Sequence, residues 1–173
     1  QLGKRAEALE LLKFFLSDRR PRQWNQWPEI SWKNPRSPGH LGDVPHTWIA
    51  SEYMLAFASL FAYERQADDA LILGAGLDET WLAARGGVSV RGLPTWHGEL
   101  DLAMKRERTG SLLIEIGGNL RLPRGGFVLR PPTGRAIRAV TVNGKPVNSF
   151  TKAEATVDEF PAKVILRFGQ SKV

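Results

Sequence analysis

The spacing of the apolar residues changes near residue 69, and this change constrains the fold more than any other feature of the sequence. Before that point apolar side chains recur at helical spacing, as at Leu9 and Leu12. After it they alternate with other residues, as at Val164 and Leu166, which is typical of strands. The sequence therefore predicts an α+β chain. We expect it to have two domains, residues 1–68 and residues 69–173.

Two helices are predicted in the first domain, over residues 2–17 and from Pro45 to about Arg65. Asp43 is a candidate N-cap for the second helix, with Pro45 in its first turn. This second helix is apolar on nearly every side, so it should be buried from several directions. One further helix cannot cover it. We therefore expect a fragment of a larger helical assembly, or a homo-oligomer.

The second domain contains short strand-like segments separated by Gly and Pro, which indicates an antiparallel β-sandwich. The apolar run 70–73 precedes a capped helical turn at 78–82. Asn143-Gly144 is a strong signal for a two-residue hairpin. The predicted strands lie near 88–91, 100–106, 112–116, 127–130, 137–142, 155–157 and 164–168.

A long loop between the two helices, residues 22–48, is the main functional candidate. Its prolines and glycines forbid a regular element, and long loops without secondary structure are usually functional or disordered. A disordered loop would not carry so many aromatic residues. Four of the six tryptophans lie in it, namely Trp24, Trp27, Trp32 and Trp48.

Glu29 stands among the first three of these tryptophans. Indole faces stack on the C–H faces of sugar rings, and a carboxylate can activate water at an anomeric carbon. This combination predicts a carbohydrate substrate, with Glu29 as the catalytic group. The alternative is that Glu29 caps a turn, or pairs with Arg22 or Arg36, while the tryptophans form the core.

Asp43 and His46 lie where the loop meets the second helix. They are candidates to hydrogen-bond sugar hydroxyls. The alternative is an N-capping Asp43 and a buried, satisfied His46. His40, Asp43 and His46 could also be considered as metal ligands, but their spacing includes Gly and Pro and no cysteine assists, so no metal site is expected.

The run W-P-E-I, followed by V-P-H-T-W-I-A-S-E-Y-M, resembles the end of the catalytic barrel in glucoamylase-like glycosidases. Their superfamily, the six-hairpin glycosidases, also includes bacterial α-L-rhamnosidases. The resemblance implies that the two helices are the last hairpin of an (α/α) toroid, followed by the sandwich. Ile30 stands where the glucoamylase pattern has glutamine, so the resemblance does not determine which sugar is the substrate.

The same resemblance implies a glycoside hydrolase that works with inversion. Glu29 would be its general base, and Trp24, Trp27 and Trp32 would bind substrate with Asp43 and His46. The general acid would lie upstream of this chain, so the isolated 173-residue chain is expected to be inactive. No cofactor is implied.

Composition excludes several other classes. The net charge of +6 is scattered over the second half and is not accompanied by a nucleic-acid motif, so no nucleic-acid partner is expected. No apolar run is long enough to span a membrane. The absence of cysteine fits a cytoplasmic protein and is also compatible with a bacterial periplasmic one.

Two other functions remain open. One is a non-catalytic carbohydrate-binding or interaction module, in which Trp96 and nearby arginines of the sandwich bind a glycan. The other is a phosphorylase of related toroid architecture.

Overall fold

The computed structural model describes residues 3–19, 22–30 and 42–169. The backbone divides into two compact units, Gln1–Ser59 and Leu60–Val173. The sequence-based division after residue 68 concerns folding domains and stays a prediction.

The first unit contains helix α1 (Arg5–Ser17), a short 3-10 turn (Arg22–Trp24) and most of helix α2 (Thr47–Phe61). Helix α2 begins after Pro45, and Asp43 makes no side-chain hydrogen bond within the described residues. The prediction of Asp43 as N-cap is therefore wrong. The reason is that this segment pairs with an earlier one, since the Asp43 carbonyl accepts from the Glu29 N–H at 3.0 Å.

The apolar surface of α2 is largely uncovered within the described part of the chain. Exposed side chains lie along its length: Trp48, Met54, Leu55 and Phe57. Leu60 and Phe61, which belong to the second unit, are buried. That further helices or a second copy of the chain cover this surface stays a prediction.

Residues 62–65 form a strand and not the end of a helix. Strand β1 (Ala62–Arg65) pairs antiparallel with β2 (Ala70–Leu73), and the N–H of Gly74 donates to the Phe61 carbonyl at 2.7 Å. The helical prediction to Arg65 is wrong because antiparallel pairing with the next strand along the chain satisfies these backbone groups in place of helical bonds.

The second unit has two sheets and the short helix α3 (Glu79–Leu82), whose predicted cap is confirmed by a hydrogen bond from the Thr80 N–H to the Asp78 carboxylate. The four-stranded sheet has the order β1-β2-β6-β9, where β6 is Phe127–Leu129 and β9 is Ala155–Val157. The six-stranded sheet has the order β3-β4-β5-β10-β7-β8. Its strands are β3 (Val88–Thr95), β4 (Gly98–Arg106), β5 (Leu112–Leu120), β7 (Ile137–Val142), β8 (Lys145–Val147) and β10 (Ala162–Phe168).

The predicted α+β class and the large antiparallel sheet are confirmed. All seven predicted strands are present, some of them longer than expected. The four-stranded sheet corrects the expectation of purely antiparallel pairing, because β2 and β6 run parallel. Between them the chain builds β3, β4 and β5 in the other sheet, so it returns to β2 through a long crossover, as parallel neighbours require.

Alternation builds the core of the six-stranded sheet. Leu100, Leu102 and Met104 of β4 are buried, as are Val164 and Leu166 of β10. The hairpin between β7 and β8 is confirmed at Asn143-Gly144, where both residues have positive φ, 49° and 82°. Among the described residues, no helix is long and apolar enough to cross a membrane.

Candidate functional site

Two short segments of the first unit pair side by side and bring the candidate residues together. The N–H of Glu29 donates to the Asp43 carbonyl, and the N–H of His46 donates to the Trp27 carbonyl, both at 3.0 Å. These two bonds fix the backbone from which Glu29, Asp43 and His46 project. The intervening residues 31–41, which include Trp32 and His40, lie outside the described residues.

Trp27 connects this paired segment to both helices. Its indole Nε1 donates to the Phe15 carbonyl of α1 at 2.7 Å. Its ring stacks on Tyr53 of α2, with centroids 4.6 Å apart and an interplanar angle of 30°. The residue is 4% exposed. Trp27 therefore anchors the paired segment to the helices, and in this structure almost none of its surface is accessible to a ligand.

Three side chains converge where the two segments pair. One oxygen of Glu29, one oxygen of Asp43 and one ring nitrogen of His46 all lie within 4.8 Å of one another. Both carboxylates are exposed and His46 is half-buried. Within the described residues neither carboxylate forms an ion pair, so the predicted alternative of a Glu29–Arg22 pair is not seen; Arg36 lies outside these residues.

His46 lacks a hydrogen bond that a buried structural histidine usually makes. Its Nε2 is buried and has no hydrogen-bond partner in the described chain. A buried polar atom without a partner costs free energy, and such an atom in a native structure needs an explanation.

Gly42 approaches Glu29 closely. A Cβ at residue 42 would lie 2.6 Å from the Glu29 Cβ and closer still to a carboxylate oxygen. Gly42 also has a φ of +67°, which favours glycine. The glycine therefore leaves the space in which the Glu29 side chain lies.

Exposed indoles flank the paired segment. Trp24 is 60% exposed and Trp48 is 56% exposed. The Trp48 ring meets the His46 ring edge-on, with centroids 5.5 Å apart. Trp48 was not among the predicted binding residues, although it lies two positions after His46, in the first turn of α2. It is the exposed indole that the structure connects to the cluster.

In the second unit, the Trp96 side chain is exposed, with 64% of the residue surface accessible. The backbone N–H of Trp96 donates to the Glu64 carboxylate at 2.9 Å. Close by in the chain, His97 Nε2 lies 3.9 Å from a carboxylate oxygen of Asp69. The Arg124 guanidinium donates to the Asp69 carboxylate at 2.9 Å and holds the pKa of this carboxyl below its ordinary value. This carboxylate is therefore already engaged by a cation, whereas those of Glu29 and Asp43 have no such partner in the part of the chain that the structure describes.

Comparisons with known proteins give neighbours in structure only. No family model matches the chain, and no curated protein matches it. It is similar to a GH127 beta-L-arabinofuranosidase from Geobacillus stearothermophilus T6, with 14% identity and a TM-score of 0.39, over 69% of this chain and 18% of that one. It is also similar to a protein described as a glycoside hydrolase, with 18% identity and a TM-score of 0.38, over 81% of this chain and 24% of that one.

Both neighbours are glycoside hydrolases by description, and the chain spans less than a quarter of the length of each.

Proposed function

We propose that this chain contributes the general-base side of a glycoside hydrolase site, with Glu29 activating the water that attacks the anomeric carbon. The observation that carries the proposal is the placement of Glu29: its carboxylate is exposed, has no cationic partner among the described residues, and lies beside Asp43 and His46. An unpaired carboxylate is free to accept a proton from water.

The indoles support a sugar substrate in this proposal. Trp48 contacts His46, and Trp24 lies exposed in the same loop segment as Glu29. Exposed indole faces are suited to stack on sugar rings, and Asp43 can accept hydrogen bonds from sugar hydroxyls. Trp32 would add a further contact. Trp27 would act through the backbone it anchors.

The general acid must come from a carboxyl other than Asp43. Inverting glycosidases hold their two carboxyls about 6.5–9.5 Å apart to admit a water molecule, whereas retaining enzymes hold them about 5–5.5 Å apart. The facing oxygens of Glu29 and Asp43 lie within 4.8 Å of each other. This pair leaves no room for an attacking water between the carboxyls, so we propose that the acid belongs to an upstream helical segment.

We also propose that α1 and α2 are the last hairpin of an (α/α) toroid. The apolar surface of α2 supports this proposal, because Met54, Leu55 and Phe57 are exposed within the described chain. Exposed apolar patches of this kind usually mark an interaction site. Upstream helices of the same protein would cover it.

The test uses the natural protein in which this chain follows its upstream sequence. Glu29→Gln keeps the shape and removes the base, so the rate of reducing-sugar release should fall by about 10²–10⁴-fold. Glu52→Gln is the matched control, since Glu52 is also exposed in the first unit. Near-normal turnover in Glu29→Gln would remove Glu29 from the mechanism. NMR of the first-formed product shows whether its anomeric configuration is inverted relative to that of the substrate.

A binding module on the second unit is the second candidate, because Trp96 is also exposed. The two candidates are separated by titrating oligosaccharides into the protein and comparing Trp48→Ala with Trp96→Ala. Loss of binding in Trp48→Ala alone supports the site in the first unit, and loss in Trp96→Ala alone supports the module. Product analysis with and without inorganic phosphate separates a hydrolase from a phosphorylase.

A further inference from the structure

We infer that Glu29, Asp43 and His46 form a binding site for a divalent transition-metal ion, with Zn²⁺ or Mn²⁺ as its ligand class. The inference extends the proposed site, but the binding of the ion does not depend on the proposed hydrolysis. It also departs from the expectation, drawn from the sequence, that no metal site is present.

The first observation is the distance between the donor atoms. Two ligands bound to one Zn²⁺ at about 2.0–2.2 Å lie no more than about 4.4 Å apart. The Glu29, Asp43 and His46 donor atoms all lie within 4.8 Å of one another. Side-chain rotations that bring these donors closer together would let one ion contact all three.

The second observation is the orphaned nitrogen. His46 Nε2 is buried and has no hydrogen-bond partner in the described chain. In a metal-binding imidazole, one ring nitrogen coordinates the metal and the other forms a hydrogen bond, so both nitrogens have a partner. A purely structural His46 would leave this cost without compensation.

The third observation is the way the ligands are held. The Glu29–Asp43 and His46–Trp27 backbone bonds fix the two segments that carry the ligands. Gly42 keeps open the space that the Glu29 side chain occupies, because a Cβ there would overlap it. No hydrogen bond or ion pair within the described ranges engages the three side chains with any other group.

The chemistry of the donors limits the ion. Imidazole favours Zn²⁺ and other late first-row metals, whereas carboxylates also suit Mn²⁺. One nitrogen and two oxygens supply three ligands and leave positions open for water or for two hydroxyls of a sugar. An ion there would orient substrate or polarise a water molecule next to the exposed Trp48.

The experiment titrates Zn²⁺, Mn²⁺ and Ca²⁺ separately into metal-free protein by calorimetry, with the imidazole ¹⁵N shifts of His46 as a second readout. We expect saturable one-to-one binding of Zn²⁺ or Mn²⁺ that is tighter than that of Ca²⁺. Asp43→Asn and His46→Gln should each weaken it by at least about tenfold, since even loss of an outer-shell partner costs 10–100-fold.

The second unit supplies a matched control. His97 also lies near a carboxylate, that of Asp69, but Arg124 already neutralises this group. His97→Gln should leave the affinity unchanged. Absence of one-to-one binding at millimolar metal, or equal weakening in His97→Gln and His46→Gln, would overturn the inference. Circular dichroism of Asp43→Asn checks that the variant is folded.

Failure of the metal site and failure of the proposed hydrolysis can be distinguished. If turnover is lost in Glu29→Gln while no metal binds in the calorimetric titration, the hydrolase proposal stands and the metal inference fails. If the protein binds Zn²⁺ through Asp43 and His46 while Glu29→Gln retains turnover, the metal inference stands and the general-base proposal fails.

Discussion

The backbone N–H of Glu29 donates a 3.0 Å hydrogen bond to the carbonyl of Asp43. This bond joins two segments that are separate in the sequence and sets a carboxylate from each beside the other. The His46–Trp27 bond repeats the pairing, and Trp27 attaches it to both helices. The position of the candidate site is therefore determined by the backbone of these two segments.

Gly42→Ala should impair the site more than its backbone conformation alone explains. The φ of +67° costs about 1–2 kcal/mol for a residue with a Cβ, and the new Cβ would also displace the Glu29 side chain. We expect binding of Zn²⁺ or Mn²⁺ to weaken by at least about tenfold, measured by calorimetry.

Gly3→Ala is the control for this prediction. Gly3 also has a positive φ, +75°, but a Cβ there would meet no atom within 4 Å. Metal affinity should not change in this variant. Equal losses in the two alanine variants would show that backbone strain alone, and not the approach to Glu29, accounts for the effect of Gly42→Ala.

Trp27→Ala should unfold the helical unit more readily than any exposed tryptophan substitution. Replacing a buried Trp by Ala costs about 3–5 kcal/mol, since it removes the stack on Tyr53 and leaves a cavity. Trp27→Phe keeps an aromatic ring and loses the bond to the Phe15 carbonyl, which should cost about 1–3 kcal/mol. Urea unfolding followed by far-ultraviolet circular dichroism measures both.

Trp24→Ala tests whether an exposed tryptophan contributes less to the free energy of unfolding than the buried Trp27. Trp24 is mostly exposed, so its removal should change the free energy of unfolding by no more than about 0.5 kcal/mol. A loss as large as that of Trp27→Ala would mean that Trp24 also belongs to the core, and that the exposed indole proposed for sugar binding is structural.

Acidification should destabilise the second unit in part through Asp69. The bond from Arg124 lowers the pKa of this carboxyl in the folded state, so the unfolded chain takes up the proton first as pH falls. The pair therefore stabilises the fold above about pH 4, the unfolded pKa of Asp, and its contribution is lost as pH falls through the lower folded pKa. Asp68 behaves in the same way, because its bond from Arg65 lowers its pKa.

The measurement is the urea midpoint between pH 6 and pH 2 for the wild type, Asp69→Asn, Arg124→Gln and the double variant. Asparagine tolerates the positive φ of residue 69, which is 54°. Each single variant should reduce the acid-induced fall in the midpoint, and the double variant should reduce it no further. A full wild-type fall in Arg124→Gln would exclude Arg124 as the cause.

Local patterns determined much of the fold. Alternation at Val164 and Leu166 predicted β10, and Asn143-Gly144 predicted the β7–β8 turn. Both patterns are local, because the side of a sheet to which a side chain points and the geometry of a turn depend on residues within a few positions of each other. The sequence also indicated Glu29, because it stands among tryptophans, and Asp43 and His46, because they lie where the loop meets the second helix.

The sequence by itself predicted most of the helical and extended segments, apart from strand β1, and it singled out the loop that carries the candidate groups. Only the tertiary structure decided that β2 and β6 run parallel, that Trp27 is buried, and that Glu29, Asp43 and His46 meet around one point. The physical reason is the range of the interactions. Periodicity arises between near neighbours, whereas strand direction, burial and side-chain convergence depend on hydrogen bonds and packing between segments that are distant in the chain.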